Sequence, residues 1–309
     1  MDLVCRGNKK GSQEKNEIKM NILSFDIEEW YIEKKYYGGH ANKYKEFDHY
    51  LGQILDLLDE QRTKATFFCL GRIATDFPYV VKSISDRGHD VGCHSNEHLW
   101  LTKMSPEELR YDTRDAIAAL EDVSGQKVIS YRAPAFSIGE RNKWAFEVLA
   151  SEGITRDASI FPAARDFGGF EGFPTDSPVL IKGTEYTIKE FPICLTSLLG
   201  KEIAYSGGGY FRFFPLTFIK SRINNSKYAM TYFHIGDLLH NKGGIMSRKD
   251  YETYFKESGT LKNRIIRYAK SNLGTKGAFD KMKKLVESYD FMSLEEADKF
   301  LLWDKLIEI

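Results

Sequence analysis

Two histidines four residues apart, His94 and His98, stand beside Glu97 in the stretch GHDVGCHSNEHLWL, directly after a short apolar run. The chain contains seven histidines in all, so this clustering needs an explanation. Two imidazoles and one carboxylate form a three-ligand site that leaves positions open for water and substrate, as catalytic zinc requires. The spacing alone is equally compatible with a structural pair or with chance, and other residues must decide.

Further polar residues follow other predicted strands at the point where each strand ends. Asp26 is next to last in NILSFDI and Glu28 directly follows it, Arg132 follows VISY, Asp157 follows ITR and His234 follows MTYF. In α/β barrels and open α/β sheets, the carboxyl ends of the strands hold the active site. We therefore expect these side chains to converge with the two histidines, although each one alone has an ordinary structural interpretation.

The residue types favour hydrolysis of an amide or an ester. A metal ion held by histidines and a carboxylate polarises a carbonyl group and lowers the pKa of bound water. A second carboxylate can remove the water proton, and a histidine on the other side can protonate the leaving group. Asp26 and Glu28 are two apart, so in extended backbone both carboxylates face the same way.

The elements that position these residues alternate between strand and helix. Strands are predicted at 21–27, 64–71, 89–94, 127–134, 154–161 and 228–235, with helical periodicity in the segments between them. The clearest helix is 105–125, with Ser105 as N-cap, Glu108 completing a capping box and Gly125 as its end. A second capping box, Ser293 to Glu296, opens the last helix. The stretch from 162 to 215 is predicted to be rich in loops. Repeated strand–helix units predict a parallel sheet, either open or closed into a barrel.

Composition limits the classes of function. Lysine plus arginine and aspartate plus glutamate number 44 each, so the whole-chain balance gives no indication of binding to nucleic acid or to an anionic membrane. No stretch approaches the length of a transmembrane segment. The four cysteines form no CxxC pair, and the N-terminus lacks the apolar centre of a signal peptide. We expect a disordered leader at 1–19, a single catalytic domain at 20–309 and a cytoplasmic location.

Taken together, the motifs resemble the polysaccharide deacetylase family with a NodB homology domain, carbohydrate esterase family 4. The match is to the branch whose first motif reads Asp-x-Glu, and it spans about residues 20–300. It rests on SFDIEEW, ATFFCLGRIA, GHDVGCHSNEH, YRAPAFSI, DASIFP, GGGYFRFFP and YFHIGDL. The resemblance implies a distorted (β/α)7 barrel of the α/β class.

The resemblance also implies a metal site. One divalent ion, expected to be zinc, would be held by Glu28, His94 and His98. The commoner family pattern has adjacent aspartates, whereas Ile27 intervenes here. Glu29 therefore stays open as an alternative ligand, although strand alternation turns it away.

The remaining roles carried over from the family concern proton transfer and the oxyanion. Asp26 would be the general base and Arg132 would orient it. The backbone N–H of Ala135 would help to stabilise the tetrahedral oxyanion. Asp157 would orient His234, the general acid. The sequence HIGDLLH lacks the Pro and Trp that often follow this histidine, which affects the expected substrate contacts more than the acid itself.

The implied activity is removal of an N-acetyl group from an acetamido sugar, in a glycan or in a precursor. With no export signal, we expect a cytoplasmic precursor used in cell-surface polysaccharide biosynthesis. Two alternatives stay open. One is an amidohydrolase acting on a small cyclic or linear amide, and the other is a sugar-binding module without catalysis.

Overall fold

The computed structural model describes residues 19–165, 168–240 and 244–309. The expected leader, apart from Lys19, lies outside the described residues. Eleven strands are found in the described part of the chain: β1 Met20–Ile27, β2 Thr66–Cys69, β3 Asp90–Cys93, β4 Ser130–Tyr131, β5 Arg156–Asp157, β6 Val179–Lys182, β7 Thr187–Glu190, β8 Leu195–Leu198, β9 Lys201–Ala204, β10 Tyr228–His234 and β11 Leu306–Glu308.

Nine of these strands form one sheet in the order β10-β1-β2-β3-β4-β5-β7-β6-β11. Each neighbouring pair from β10 to β7 is parallel, which gives seven consecutive parallel strands. The predicted α/β class is confirmed, and seven parallel strands fit a distorted (β/α)7 barrel. The distortion is visible at the far edge, where β6 runs antiparallel to β7 and β11 pairs with β6.

Helices cover the sheet and connect its strands. In the described residues they are α1 Glu29–Ile32, α2 Ala41–Glu60, α3 Gly71–Asp76, α4 Pro78–Asp86, α5 Pro106–Ser124, α6 Trp144–Ser151, α7 Gly208–Phe213, α8 Leu216–Asn224, α9 Ile235–Leu238, α10 Arg248–Phe255, α11 Leu261–Asn272, α12 Ala278–Val286 and α13 Leu294–Phe300. None of them, within the described ranges, combines the length and apolar character needed to cross a bilayer.

Local capping signals fix several of these helices where the sequence places them. Ser105 and Glu108 form the expected capping box of α5, and Gly125 ends the helix with φ 67°, a conformation that glycine adopts without steric cost. The capping box from Ser293 to Glu296 likewise begins α13. Both predictions are confirmed.

The stretch from 162 to 215 holds more regular structure than a loop-rich segment suggests. It contains two hairpins, β6–β7 and β8–β9, followed by α7. These strands are four residues long and alternate weakly between buried and exposed positions, so their hydrophobic signal is faint.

A single cluster of buried hydrophobic side chains extends from β1 to α13. Strand β1 lies in its middle, and seven of its eight residues are buried. Because β1 is covered on both faces, its sequence is a near-continuous apolar run with Asp26 as its one charged residue. Asp26 is only 2% exposed, so its charge must be met by protein groups.

Candidate metal centre and catalytic site

Parallel pairing brings Asp26 and His234 together. Strands β1 and β10 are in register, with Asp26 opposite His234 at their carboxyl ends. His234 Nε2 lies 3.7 Å from Asp26 Oδ2 and 4.0 Å from Glu28 Oε1. An imidazole therefore faces two carboxylates across a space of a few ångströms.

The two histidines of the GHDVGCHSNEH segment meet Glu28 in the same space. Glu28 Oε2 lies 2.7 Å from His98 Nε2 and 3.6 Å from His94 Nε2. One ligand atom from each of the three residues lies within 4.8 Å of the other two. Three such atoms at this separation can share a single ion, since zinc binds nitrogen and oxygen ligands at about 2 Å.

Two buried polar atoms support the fit of a metal ion to this cluster. His94 Nε2 is shielded from solvent and has no hydrogen-bond partner among the described residues, and Glu28 Oε2 is shielded with only the two imidazole nitrogens facing it. Buried polar groups are normally satisfied, and an ion at this point would satisfy both. The donor set of two imidazoles and one carboxylate also suits a divalent metal such as zinc.

The far nitrogen of each histidine is held by a second group. His94 Nδ1 lies 2.8 Å from the carbonyl oxygen of Arg132, so its N–H donates there and leaves Nε2 as the free acceptor. His98 Nδ1 lies 3.2 Å from the Tyr254 hydroxyl, and the two rings are parallel within 3°. Both imidazoles therefore present Nε2 toward Glu28.

Neighbouring charges give the carboxyl groups of Glu28 and Glu29 different pKa values. Burial raises the pKa of the Glu28 carboxyl, but His98, His234 and His94 outweigh it and leave this pKa well below its usual value. Burial and the Glu28 charge raise the pKa of Glu29 to about 7. Glu29 Oε1 accepts a hydrogen bond from the Gly236 backbone N–H rather than joining the histidines. The geometry favours Glu28 as the ligand, which stays a prediction.

Arg132 fixes the orientation of Asp26. Its guanidinium is fully buried and donates to Asp26 Oδ1 and to Ser24 Oγ, both at 2.8 Å. It also donates to the carbonyl oxygen of Ala158 at 3.2 Å and lies 4.2 Å from the centre of the Phe68 ring. The second oxygen of Asp26, Oδ2, is the one that faces His234.

A third carboxylate, from the turn that follows β10, contacts His234. Its Nδ1 lies 2.9 Å from Asp237 Oδ2. Burial lowers the pKa of the imidazole, but Glu28, Asp237 and Asp26 together raise it to about 10. These carboxylates hold the imidazole in its protonated form at neutral pH.

The expected pairing of Asp157 with His234 is not found. Asp157 Oδ1 instead accepts from Ser159 Oγ at 2.7 Å, and its carboxyl is hydrogen-bonded to Glu190. The sheet order places four strands between β5 and β10, whereas Asp237 lies in the turn directly after β10. The local carboxylate therefore reaches the imidazole, and Asp157 orders the end of β5.

Ala135 occupies a strained backbone conformation. Its φ of 54° and ψ of 20° are left-handed, a region that costs a residue with a side chain about 1–2 kcal/mol. Phe136 follows with φ 53°. Gly168 packs against this turn so closely that an added Cβ would lie 2.3 Å from the carbonyl oxygen of Phe136. The oxyanion role of the Ala135 amide stays a prediction.

The sequence did not identify three residues that contact predicted site residues in the structure: Asp237, Tyr254 and Glu190. Asp237 had a usable signal, since a carboxylate three residues after His234 can turn back onto the imidazole in a helical turn. Tyr254 and Glu190 had none, because only the fold brings them to His98 and Asp157.

Comparison with known proteins bears on the same residues. The family model described as "Polysaccharide deacetylase" matches residues 15–155, which include Asp26, Glu28, His94, His98 and Arg132. The expected similarity to polysaccharide deacetylases is thus confirmed for residues 15–155. A second model, "Domain of unknown function (DUF3473)", matches residues 158–299, which include His234 and Tyr254.

Two curated relatives illustrate the similarity. A peptidoglycan-N-acetylglucosamine deacetylase of Bacillus cereus is 38% identical over 96 residues, or 31% of this chain and 35% of the relative. A chitooligosaccharide deacetylase of Rhizobium leguminosarum is 34% identical over 114 residues, or 35% of this chain and 50% of the relative. This chain therefore matches half or less of the length of these relatives.

A solved structure of similar fold aligns with most of the chain. A crystal structure from Mycobacterium smegmatis, of a protein provisionally named a polysaccharide deacetylase, aligns with a TM-score of 0.62. The alignment covers 95% of this chain and 94% of that one at 16% sequence identity. At this identity the comparison supports the barrel fold alone.

Proposed function

We propose that this chain is a metal-dependent hydrolase that removes the N-acetyl group from an acetamido sugar, in a glycan or in a polysaccharide precursor. The observation that supports this most strongly is the convergence of Glu28, His94 and His98 on one point, with Asp26 and His234 beside it. The family of residues 15–155 adds to it, because its named relatives are deacetylases of N-acetylated glycans.

The three ligands would hold one divalent ion, which we propose to be zinc. When bound, such an ion would polarise the acetamide carbonyl and lower the pKa of a water molecule beside it. The Arg132 carbonyl and the Tyr254 hydroxyl would keep the two imidazoles in the ligating orientation.

Asp26 would act as the general base. One of its oxygens is held by Arg132, while Oδ2 faces the space between the ligands and His234. A carboxylate fixed in this way can take the proton of the attacking water without having to reorient.

His234 would act as the general acid. Its Nε2 faces the same space, and Asp237 on Nδ1 favours the protonated ring. This contact remains when an ion neutralises Glu28, so the proton is still available to the departing amine. Arg132 would orient the base, and the Ala135 N–H would donate to the oxyanion, as the family resemblance implies.

The deciding experiment combines metal analysis with acetate release from acetamido sugars. Purified protein should contain about one divalent ion per chain. His94→Ala and His98→Ala should lose most of it, whereas His49→Ala, at an exposed position, should keep it. Full metal content in the first two variants would contradict the ligand assignment, and binding of sugar without acetate release would favour a non-catalytic module.

The two proton-transfer roles can be separated with an activated ester. Asp26→Asn and His234→Ala should each lower kcat on an acetamido sugar by about 10²–10⁴-fold with the metal retained. On an ester whose leaving group needs no proton, His234→Ala should recover much of its rate and Asp26→Asn should not. Equal impairment of both variants would remove the acid role from His234.

A similar comparison distinguishes the two glutamates. Glu28→Gln should lower both metal affinity and turnover, and Glu29→Gln should have the smaller effect on both. The reverse ranking would make Glu29 the ligand.

We further propose a cytoplasmic precursor as the substrate. This proposal is supported by Cys69, Cys93 and Cys194, which are buried free thiols, as is usual in a reducing compartment. Acetate should be released from nucleotide-linked or lipid-linked acetamido sugars. Release from assembled polymer only would contradict this, and release from a small non-sugar amide would indicate the alternative amidohydrolase.

A further inference from the structure

Helix α11, Leu261–Asn272, has its polar side toward the protein. None of its residues is buried, and the partly covered positions are polar ones, including Arg264, Arg267 and Ser271. Arg264 donates to the carbonyl oxygen of Met246 at 3.1 Å, and the Arg267 guanidinium lies 4.6 Å from the centre of the Phe255 ring. This reverses the usual arrangement of a surface helix, whose apolar face packs on the core.

The opposite side of α11 presents large apolar side chains to the outside. Leu261 is 59% exposed, and Ile265 and Ile266 are 45% and 44% exposed. Leu273, directly after the helix, is 62% exposed. We call these four residues the α11 patch. Single exposed hydrophobic residues are common, but a group of them on one helix face marks an interaction surface.

A further exposed aromatic residue, Phe213, is next in sequence to a residue that contacts the C-terminal end of α11. It is 67% exposed, and its neighbour Arg212 donates to the backbone carbonyls of Ser271 and Lys270. Arg212 also lies against Gly274. The exposed phenylalanine is thus carried beside the end of the helix.

The segment around the patch is strongly basic. Residues 261–284 contain eight lysines and arginines and one acidic residue, Asp280. Lys262 and Lys270 are exposed on α11 itself, which has no acidic residue. Lys262 and Lys270 therefore place positive charge on the exposed surface of α11 beside its apolar side chains, in a chain of zero net charge.

The exposed apolar side chains and the lysines on α11 together indicate which kind of partner could bind this surface. A second copy of the chain would place the same patch against itself, since two-fold interfaces are self-complementary, and would bring two basic segments together. An anionic lipid surface instead accepts apolar side chains at the headgroup boundary and attracts the lysines that flank them. We propose that α11 binds the surface of a membrane containing anionic lipids.

Membrane binding at α11 would place the lipid surface next to the candidate site. The inner side of α11 lines a cavity of about 200 Å³ through Arg264, Arg267 and Ser271. The cavity is also lined by Glu29 and Gly236, the neighbours of Glu28 and His234. If the proposed deacetylase function holds, its substrate is then a lipid-linked sugar presented at the membrane surface.

The experiment is co-sedimentation of the full chain with vesicles of phosphatidylcholine, with or without phosphatidylglycerol. The wild-type protein should bind the vesicles that contain phosphatidylglycerol, and binding should weaken as salt is added. Ile265→Ser with Leu273→Ser should lower the partition coefficient on the order of tenfold or more, and Lys262→Gln with Lys270→Gln should do the same. A matched control is Leu199→Ser with Leu302→Ser, which removes two exposed leucines outside the patch and should change nothing.

Absence of wild-type binding to the anionic vesicles would overturn the proposal, as would an equal loss in the control. Light scattering of the same proteins tests the other occupant, because a dimer that dissociates in the Ile265→Ser and Leu273→Ser variant would assign the patch to a second copy. Vesicle binding does not depend on catalysis, so a protein that binds lipid but releases no acetate would refute the proposed function and leave this inference intact.

Discussion

His89 is a buried histidine away from the candidate site, and its protonation should make the fold sensitive to acid. The side chain is 1% exposed and lies beside Phe67, with ring centroids 5.1 Å apart. Its Nδ1 accepts a hydrogen bond from the Ala65 backbone N–H at 3.4 Å, and its Nε2 is buried with no hydrogen-bond partner in the part of the chain that the structure describes. Burial, and then the charge of Lys64, lower the pKa of this imidazole from 6.5 to about 4.

The direction of the effect follows from where the proton binds. Between pH 6.5 and 4 the unfolded chain binds a proton at His89 that the folded chain does not, so the free energy of unfolding falls as the pH falls. The gap between the two pKa values corresponds to about 3 kcal/mol in total, of which about 2 kcal/mol is lost by pH 5. Above pH 7 both states carry a neutral ring, and this group contributes no pH dependence.

The test is urea denaturation at a series of pH values with chelator present. His89→Asn keeps an acceptor oxygen near the position of Nδ1 but cannot take up a proton. Its free energy of unfolding should fall by about 2 kcal/mol less than that of the wild-type protein between pH 7.5 and 5. His49→Asn, at an exposed position, should follow the wild type. Parallel curves for wild type and His89→Asn would refute the reasoning, since other titrating groups are common to both.

Three further predictions concern the site itself. Tyr254→Phe should weaken metal binding about 10–100-fold in a chelator competition, because the Tyr254 hydroxyl contacts His98. Tyr251→Phe, on the same helix, should leave metal affinity unchanged. Equal affinities of the two variants would mean that the Tyr254 hydroxyl does not orient His98. In urea denaturation, the free energy of unfolding of Glu190→Gln should lie within about 1 kcal/mol of the wild-type value. The reason is that burial and then the neighbouring Asp157 carboxylate raise the pKa of Glu190 and keep it neutral. A large loss of stability would show that Glu190 is charged. Arg132→Met should lower the free energy of unfolding by about 3–5 kcal/mol, because Asp26 stays buried without its ion-pair partner. Adding Asp26→Asn should recover part of that loss. Additive losses in the double variant would argue against an energetic coupling of the two residues.

Much of the site could be predicted because its residues lie at the ends of apolar strands. The run NILSFDI identifies β1, and the pattern of parallel strands then brings Asp26 and Glu28 to the edge where His94 and His234 also lie. Capping boxes are equally local, which is why the starts of α5 and α13 were predicted correctly.

The contacts that depend on tertiary packing could not be predicted from the sequence. Asp157 was expected beside His234, but the sheet order separates the two and Asp237 takes the position. Tyr254 is 156 residues from His98 in sequence, and nothing in its surroundings marks it as a partner.

The α11 patch could not be predicted from the sequence either. Equal totals of 44 acidic and 44 basic residues conceal the excess of positive charge between 261 and 284. The apolar periodicity of α11 predicts a face that packs on the core, whereas the structure turns that face outward. Only the packing of the polar side on Met246 and Phe255 decides the orientation.

The register of β1 with β10 also has a consequence for biosynthesis. Ser24 Oγ donates a hydrogen bond across this pair to the carbonyl oxygen of Thr231, which is 207 residues away in sequence. At a translation rate of about 5–20 residues per second, β1 leaves the ribosome roughly 10–40 seconds before its partner exists. During that interval one edge of a buried, mostly apolar strand has no backbone partner, which is the kind of edge that nucleates aggregation. Expression of residues 15–155 alone would leave this edge without β10, and we expect that segment to aggregate when it is produced without residues 158–299.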